Sequence, residues 1–220
     1  MGFVHLHTHT QYTILDAVCK PKELIRKAEE LEQTAIAITD SCNLYCAIEL
    51  YKHTKKSPVK AIYGCEMWLW PDGIDTLTPR SEDGGWQLAL LIENERGYRN
   101  LSRLITEAIY HGIHYRPRVD LELLKHHSEG LIALTSGLNG PIGRPLFEAL
   151  SPEEQAAKSH QTLTQLKDIF GPDNLFVELQ DFAIPQQQQL NRTGKQLANA
   201  LDLRTVVTND VRYIEPQDAV

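Results

Sequence analysis

The sequence has little of what marks secreted, membrane-spanning or DNA-gripping proteins. None of its four cysteines forms a C-x-x-C pair, its start lacks the layout of a signal peptide, and no apolar run approaches the ~20 residues of a membrane span. Basic residues number 22 against 29 acidic ones, a net charge of −7, whereas a domain that grips nucleic acid by itself usually carries a basic face. We therefore expect a cytoplasmic chain that has no membrane contact and does not hold DNA unaided.

The cysteines leave one metal hypothesis open. Cys42 and Cys46 lie four residues apart and could share a helix face, but no second ligand pair with the spacing of a zinc finger follows them. Buried, reduced thiols of a cytosolic protein are therefore the better interpretation.

Seven short apolar or β-branched segments alternate with helical or irregular ones along the chain. The predicted strands lie at 3–7, 35–39, 61–70, 86–93, 131–136, 174–180 and 204–210. The predicted helices lie at 21–33, 43–56, 97–112, 152–169 and 185–201. This alternation predicts an α/β domain with a largely parallel sheet, either open or rolled into a barrel. The length of 220 residues suits one such domain, since a single barrel takes about 200–250 residues.

Side chains that suit a metal site gather at the predicted strand ends. His5, His7 and His9 alternate along the first strand, where residues two apart point to the same side. Carboxylates follow in the next loop and at three further strand ends, as Asp16, Asp40, Glu66 and Asp210. Imidazole with carboxylate suits Zn²⁺, Mn²⁺ or Fe²⁺ better than Mg²⁺ alone, and several such ions would suit phosphoester hydrolysis. A lone carboxylate at a strand end is, alternatively, a helix cap or a surface charge.

Several blocks of the sequence closely resemble one known family. They are FVHLHTHTQYTILDA, AIAITDSCNLYCAIELYK, IYGCEMWL, NERGYRNLSRLITEA, YRPRVDLELL, GLIALTSG and VVTNDVRYI. In this order they are similar to the PHP (polymerase and histidinol phosphatase) domain at the amino end of bacterial replicative DNA polymerase III α subunits. The resemblance implies a distorted (β/α)7 barrel with a trinuclear metal cleft. It also implies that 1–220 is a single PHP domain and a fragment of a longer DNA-directed DNA polymerase, a nucleotidyltransferase.

The resemblance assigns a metal cleft that this sequence keeps only in part. Ligand positions of the family are occupied by His7, His9, Asp16, Glu66 and Asp210, with His5 just before them. Where the family has imidazole or thiol ligands, this chain carries Ser41 (directly after Asp40), Gln87, Leu138 and Arg212. Serine and glutamine are poor ligands for transition metals, and leucine is none. We therefore expect a remnant cleft with no cofactor; any ion it did hold would be zinc or manganese on His7, His9, Glu66 and Asp210.

Arg212 is the most informative of these departures. Its guanidinium cannot lose its proton, so it brings a fixed positive charge to a place where a cation should lie. Glu66, Asp210 and Asp16 would repel one another in an empty cleft, and pairing with Arg212 relieves that repulsion. For a fully buried pair, replacing Arg212 by alanine would lower the free energy of unfolding by roughly 3–5 kcal/mol.

Two functions of different classes follow from the resemblance. The first is a non-catalytic scaffold and interaction module in DNA replication, which braces the other polymerase domains and docks a separate proofreading exonuclease subunit. In that case DNA is reached only through the parent polymerase. The second is an active metal phosphoesterase, a 3′–5′ exonuclease or a pyrophosphatase, based on the retained ligands. A free-standing histidinol phosphatase is disfavoured, because the polymerase-type blocks at 99–101 and 116–118 have no evident role in one.

Overall fold

The computed structural model describes residues 2–76 and 85–219, and this part of the chain is an α/β protein. Its helices and strands follow one another as α1 (Pro21–Glu30), β1 (Ala35–Ile38), α2 (Ala47–Thr54), β2 (Lys60–Leu69), β3 (Trp86–Ile92), α3 (Glu95–Tyr110), α4 (Leu121–His126), β4 (Leu131–Leu134), α5 (Gly143–Leu146), α6 (Pro152–Phe170), β5 (Leu175–Leu179), α7 (Pro185–Ala200) and β6 (Arg204–Val207). All five predicted helices are present; the largest end difference is at α2, which was expected from 43 and begins at Ala47.

The chain divides into two compact units. The first comprises the residues up to Glu66 together with those from Thr208 onward, and the second is Met67–Val207. Among the described residues, no helix is both long and apolar enough to cross a membrane.

The first unit is built on α1 and the parallel pair of β1 and β2. Pro21 opens α1, where its missing N–H costs nothing, and the apolar stripe of Leu24, Ile25 and Ala28 is buried. In the pair, Ala35 lies opposite Lys60, and the register continues to Ile38 opposite Tyr63. The buried stripe of α1 packs with β1 and α2 into one hydrophobic cluster that includes Ile36, Cys46 and Leu50.

The prediction of a regular first strand at 3–7 is wrong. Within the described residues this segment makes only isolated parallel bridges, from His5 to Ile36 and from Thr8 to Val211. The backbone amide of Ala37 donates to the carbonyl of His5, but the amide of Thr39 donates to that of Thr8 rather than residue 7. A step of two residues, from Ala37 to Thr39, thus lies opposite a step of three residues, from His5 to Thr8. The histidine segment therefore carries a bulge, which interrupts the ladder of hydrogen bonds and changes the direction of its side chains.

In the described part of the second unit the strands follow the order β3-β4-β5-β6. β4, β5 and β6 are parallel neighbours, as predicted, but β3 runs antiparallel to β4, with Ala89 opposite Leu134. The side chain of Asn94, just before α3, accepts from the Gly97 amide, and Ser151, just before α6, forms a capping box with Glu154. The segment that follows β4 contains a 3-10 turn at Gly137–Asn139 and the short helix α5.

Candidate metal centre

Two histidines and one glutamate of the first unit meet at a buried point. The ligand atoms of His7, His9 and Glu66 all lie within 4.8 Å of one another. The Nε2 atom of His7 is 3.3 Å from Oε2 of Glu66, and Nε2 of His9 is 3.9 Å from the same oxygen. Two imidazoles with one carboxylate form a donor set that fits a single Zn²⁺ or Mn²⁺ ion.

Asp210 adds a second carboxylate to this group. Its Oδ1 atom lies 3.2 Å from Nε2 of His9 and 4.0 Å from Nε2 of His7. The residue has a φ of 44°, the left-handed region that aspartate tolerates better than most residues. The strand β6 ends at Val207, whereas the sequence predicted a strand as far as 210, a length that the left-handed conformation of Asp210 does not allow.

Arg212 lies against Asp210 with two contacts. Its Nε atom is 3.2 Å from Oδ1 of Asp210, and its Nη2 donates to Oδ2 at 3.3 Å. The same Nη2 lies 3.5 Å from Nε2 of His9, the atom that a metal ion would use. Both charged side chains are about a quarter exposed, at 29% and 23%. Because the pair is only partly buried, the loss expected for Arg212→Ala falls to about 1–2 kcal/mol.

The charges around Asp210 should make stability depend on pH in the acid range. Burial raises the pKa of Asp210, but the neighbouring His9, His7 and Arg212 lower it by more, so that the pKa lies well below its ordinary value. A depressed folded-state pKa contributes stability above the unfolded value of about 4, and this contribution is lost as pH falls below that value. We expect the free energy of unfolding of Asp210→Asn to approach that of the wild type between pH 5 and pH 2.5, as measured by urea titration. A difference that stays constant over this range would contradict the assignment.

Asp40 supports the cleft from behind. The side chain is 2% exposed and accepts three short hydrogen bonds, from the amide of Thr10 at 2.6 Å, the hydroxyl of Thr10 at 2.7 Å and the hydroxyl of Thr13 at 2.8 Å. The Thr13 oxygen in turn lies 3.1 Å from Nδ1 of His9 and accepts from the Ser41 amide. Asp40 therefore holds the loop that carries the threonines.

This relay fixes which nitrogen of His9 faces the cleft. The Thr13 hydroxyl has a single hydrogen, and it is donated to Asp40. The oxygen can then only accept from Nδ1 of His9, so that nitrogen carries a hydrogen and Nε2 is the atom presented to Glu66 and Asp210. Supporting hydrogen bonds of this kind orient histidine ligands in metal sites.

Replacing Thr13 by valine should destabilise the first unit. The change leaves the buried Nδ1 of His9 and one oxygen of Asp40 without this partner, and each loss costs about 1–3 kcal/mol. We expect urea unfolding to show a total loss of about 2–4 kcal/mol for Thr13→Val. The Thr13→Ser variant keeps the hydroxyl and should lose less than half as much; equal losses in the two variants would show that the methyl group, not the relay, matters.

The other predicted cleft residues lie in different surroundings. Asp16 is exposed on the loop after the histidines, and the metal-ligand group found among the described residues does not include it. His5 lines a separate pocket with Thr8, because the bulge removes it from the alternation of His7 and His9. Ser41 contributes its backbone, since it bridges to Glu66 and thereby positions that carboxylate. Burial lowers the pKa of His5.

Gln87 and Leu138 belong to the second unit. Gln87 lies on β3 and Leu138 in the 3-10 turn after β4, and both are half-buried there. Their place at the cleft stays a prediction from the family resemblance.

Thr10 and Thr13 are the functional residues that the sequence did not reveal. Threonines beside histidines carry no recognisable signal, and only their contacts with Asp40 show their role.

Comparison with known sequences identifies the class to which this fold and donor set belong. The sequence model described as the PHP domain matches residues 5–182, so the chain belongs to the PHP domain family. Two solved structures share the fold: a protein described as a metal-dependent phosphoesterase from Bifidobacterium adolescentis (TM-score 0.58, 12% identity, 95% of this chain and 87% of that one) and an amidohydrolase from Chromobacterium violaceum (TM-score 0.61, 11% identity, 99% and 89%). They confirm the predicted α/β, PHP-like fold.

Within that family, the chain is similar to the amino-terminal region of one replication enzyme. It is 38% identical to DNA polymerase III subunit alpha of Treponema pallidum (strain Nichols), over 100% of this chain and 18% of that protein. It is 37% identical to DNA polymerase III subunit alpha of Aquifex aeolicus (strain VF5), over 98% of this chain and 19% of that protein. The chain therefore spans less than a fifth of the length of these two relatives. These matches confirm the predicted resemblance.

Proposed function

We propose that the chain is the single PHP domain of a much longer replicative DNA polymerase, in which it acts as a non-catalytic scaffold and interaction module. The similarity to DNA polymerase III α subunits supports the place in a replicase. The single observation that carries the non-catalytic role is the contact of Arg212 with both Asp210 and His9.

The position of Arg212 opposes a metal cluster for electrostatic reasons. A zinc ion would lie about 2.0–2.1 Å from Nε2 of His9, and the guanidinium nitrogen is only 3.5 Å from that atom. A fixed positive charge at this distance repels a divalent cation and also neutralises Asp210, which the cation would need as a ligand. Arg212 thus takes the electrostatic place of a metal and ties the segment after β6 to the histidine segment.

The residues present fit one ion but not three. His7, His9 and Glu66 supply three ligands, as in catalytic zinc sites, and Asp210 could supply a fourth if Arg212 moved away. An ion bound there would be zinc or manganese and would supply an activated water for hydrolysis. A hydrolytic cluster needs bridging ligands that Ser41 and Arg212 do not provide, and we infer that the domain works without a cofactor.

The partners we propose are the other domains of the polymerase and a proofreading exonuclease subunit. An inactive cleft fits the second partner, because a separate exonuclease removes the need for hydrolysis within this domain. The net charge of −7 is compatible with a protein partner and disfavours direct binding to DNA, which would be reached through the polymerase domains.

Metal analysis with a hydrolysis assay tests the proposal. We expect the purified chain, loaded with Zn²⁺ or Mn²⁺ and then dialysed, to retain metal far below one ion per chain. We also expect no hydrolysis of single-stranded DNA or pyrophosphate in either metal. Near-stoichiometric metal, together with hydrolysis that His7→Ala abolishes, would overturn the non-catalytic role.

The second candidate function is a metal-dependent phosphoesterase, acting as a 3′–5′ exonuclease or as a pyrophosphatase. The observation that favours it is the assembly of His7, His9 and Glu66 with ligand atoms within 4.8 Å. In that case the wild type would hydrolyse one of the two substrates, and Glu66→Gln would lose both metal and activity. A fall in metal content without any activity to lose would leave the scaffold proposal standing.

A further inference from the structure

A second pocket of the first unit has the features of a small-molecule site. It has a volume of about 160 Å³ and lies between α1, β1 and the segment that follows Asp210. Its floor is formed by Thr8, Leu24, Ala28 and Ile36, which are all at most 4% exposed, and its rim includes Tyr213, which is 47% exposed. We propose that this pocket binds an uncharged, single-ring heterocycle that carries N–H and C=O groups, such as a pyrimidine base.

Unpartnered polar atoms are the observation that points to a ligand. Three buried polar atoms on residues that line the pocket, Nδ1 of His5, Oγ1 of Thr8 and Oε1 of Gln33, have no hydrogen-bond partner within residues 2–76 and 85–219. Thr8 is fully buried, at 0% exposure. Leaving a buried polar atom without a partner is costly, and native proteins rarely do so unless a bound group or an ordered water supplies the missing bond. Three such atoms around one pocket are the reason to propose a ligand with polar groups of its own.

The lining also excludes a charged occupant. Among the described residues that line the pocket, the one permanently charged group is the ammonium of Lys27, and it lies 2.6 Å from Oε1 of Glu215. That ion pair leaves no net charge for a phosphate or a carboxylate to neutralise. Gln33 Oε1 can only accept a hydrogen bond, so the ligand must bring at least one N–H or O–H donor. The Thr8 hydroxyl can donate, so it can pair with an acceptor on the ligand, such as a C=O group.

The volume and lining of the pocket favour a ligand with a single ring. An apolar protein cavity of about 150 Å³ is known to hold a benzene ring, and this pocket has a similar volume. Aliphatic side chains form much of the wall, with Leu24 and Ala28 on α1 and Val211 and Ile214 after Asp210. A flat ring with apolar faces and a polar edge can pack against the aliphatic wall and also form hydrogen bonds with the unpartnered atoms. Benzene cannot form the hydrogen bonds, and a purely polar solute cannot make the apolar contacts.

The bulge in the histidine segment creates this pocket. In a regular strand, His5 would share the face of His7 and His9, and Thr8 would point away from it. The extra residue between His5 and Thr8 brings both side chains to the same pocket instead. The metal cleft and the pocket thus use different residues of one short segment. The proposed ligand does not depend on a metal or on the proposed replicase function.

Methyl-group NMR of the 220-residue chain tests the proposal with uracil as the probe and benzene as the control ligand. We expect uracil to shift the methyl signals of Thr8, Ile36 and Val211 saturably, with a Kd at least tenfold lower than that of benzene. Gln33→Met removes the acceptor at similar volume and should weaken uracil binding at least tenfold while leaving benzene binding unchanged. Gln188→Met, on an exposed face of α7, should change neither.

Two outcomes would overturn the site. One is the absence of saturable uracil shifts at these methyl groups up to the solubility of uracil, as expected if the pocket holds only water or a partner's apolar side chain. The other is uracil binding that Gln33→Met does not weaken. Thr8→Val provides a second variant with the same expectation as Gln33→Met, and thermal melting confirms that each variant is folded before titration.

Discussion

Replacing Arg212 by histidine will let the cleft retain one zinc or manganese ion per chain. The change removes a fixed positive charge 3.5 Å from Nε2 of His9 and adds an imidazole beside Asp210. With His7, His9 and Glu66 already within 4.8 Å of one another, a fourth donor completes a tetrahedral set without rebuilding the segment. We expect the affinity for zinc to rise on the order of 100-fold or more over the wild type, since even indirect partners of a ligand change metal affinity 10- to 100-fold.

A second variant separates the lost charge from the added ligand. Arg212→Gln removes the guanidinium but offers an amide, a poor ligand for transition metals. It should show a smaller gain in zinc affinity than Arg212→His, both measured by competition with a chromogenic chelator. If Arg212→His retains no more zinc than the wild type, the guanidinium is not what keeps metal out of the cleft.

Replacing Asp40 by alanine should strongly destabilise the first unit. The carboxylate is 2% exposed and accepts three hydrogen bonds of 2.6–2.8 Å, so its removal leaves three buried donors on Thr10 and Thr13 without their acceptor. At about 1–3 kcal/mol for each unsatisfied buried group, we expect a loss of roughly 4 kcal/mol or more in the free energy of unfolding. Urea unfolding followed by circular dichroism measures it.

Two control variants show whether the three hydrogen bonds are the cause. Asp40→Asn keeps one acceptor oxygen at the same volume and should lose clearly less than alanine. Asp173→Ala removes an aspartate that is 92% exposed and should cost no more than about 0.5–1 kcal/mol. Equal losses for Asp40→Ala and Asp173→Ala would contradict the supporting role of Asp40.

Local periodicity was sufficient to predict most elements of the fold. The helix at 21–33 was visible because its apolar residues repeat at the spacing of a helix, and the strand at 35–39 because it is a short, continuous apolar run; both are present as α1 and β1. The bulge in the histidine segment could not be predicted, since it depends on which backbone groups of β1 lie opposite. The antiparallel direction of β3 is likewise set by its partner β4 and not by its own sequence.

The candidate site was predictable where the ligands are close in sequence. The two-residue spacing of His7 and His9 and of Asp210 and Arg212 indicated which side chains would meet, although Asp210 lies outside the last strand in a left-handed conformation. Asp40 was expected at the cleft itself, but the structure shows it bound to Thr10 and Thr13. A strand-end carboxylate does not reveal by its position alone whether it faces a ligand or caps a loop.

Diffraction from crystals grown with zinc, with data collected at the zinc absorption edge, tests most directly whether Arg212 stands in for a metal. We predict no anomalous peak between His7, His9 and Glu66, and a guanidinium that remains on Asp210. Two or three well-occupied ions bridged by Glu66 and Asp210, with Arg212 turned to solvent, would contradict that prediction.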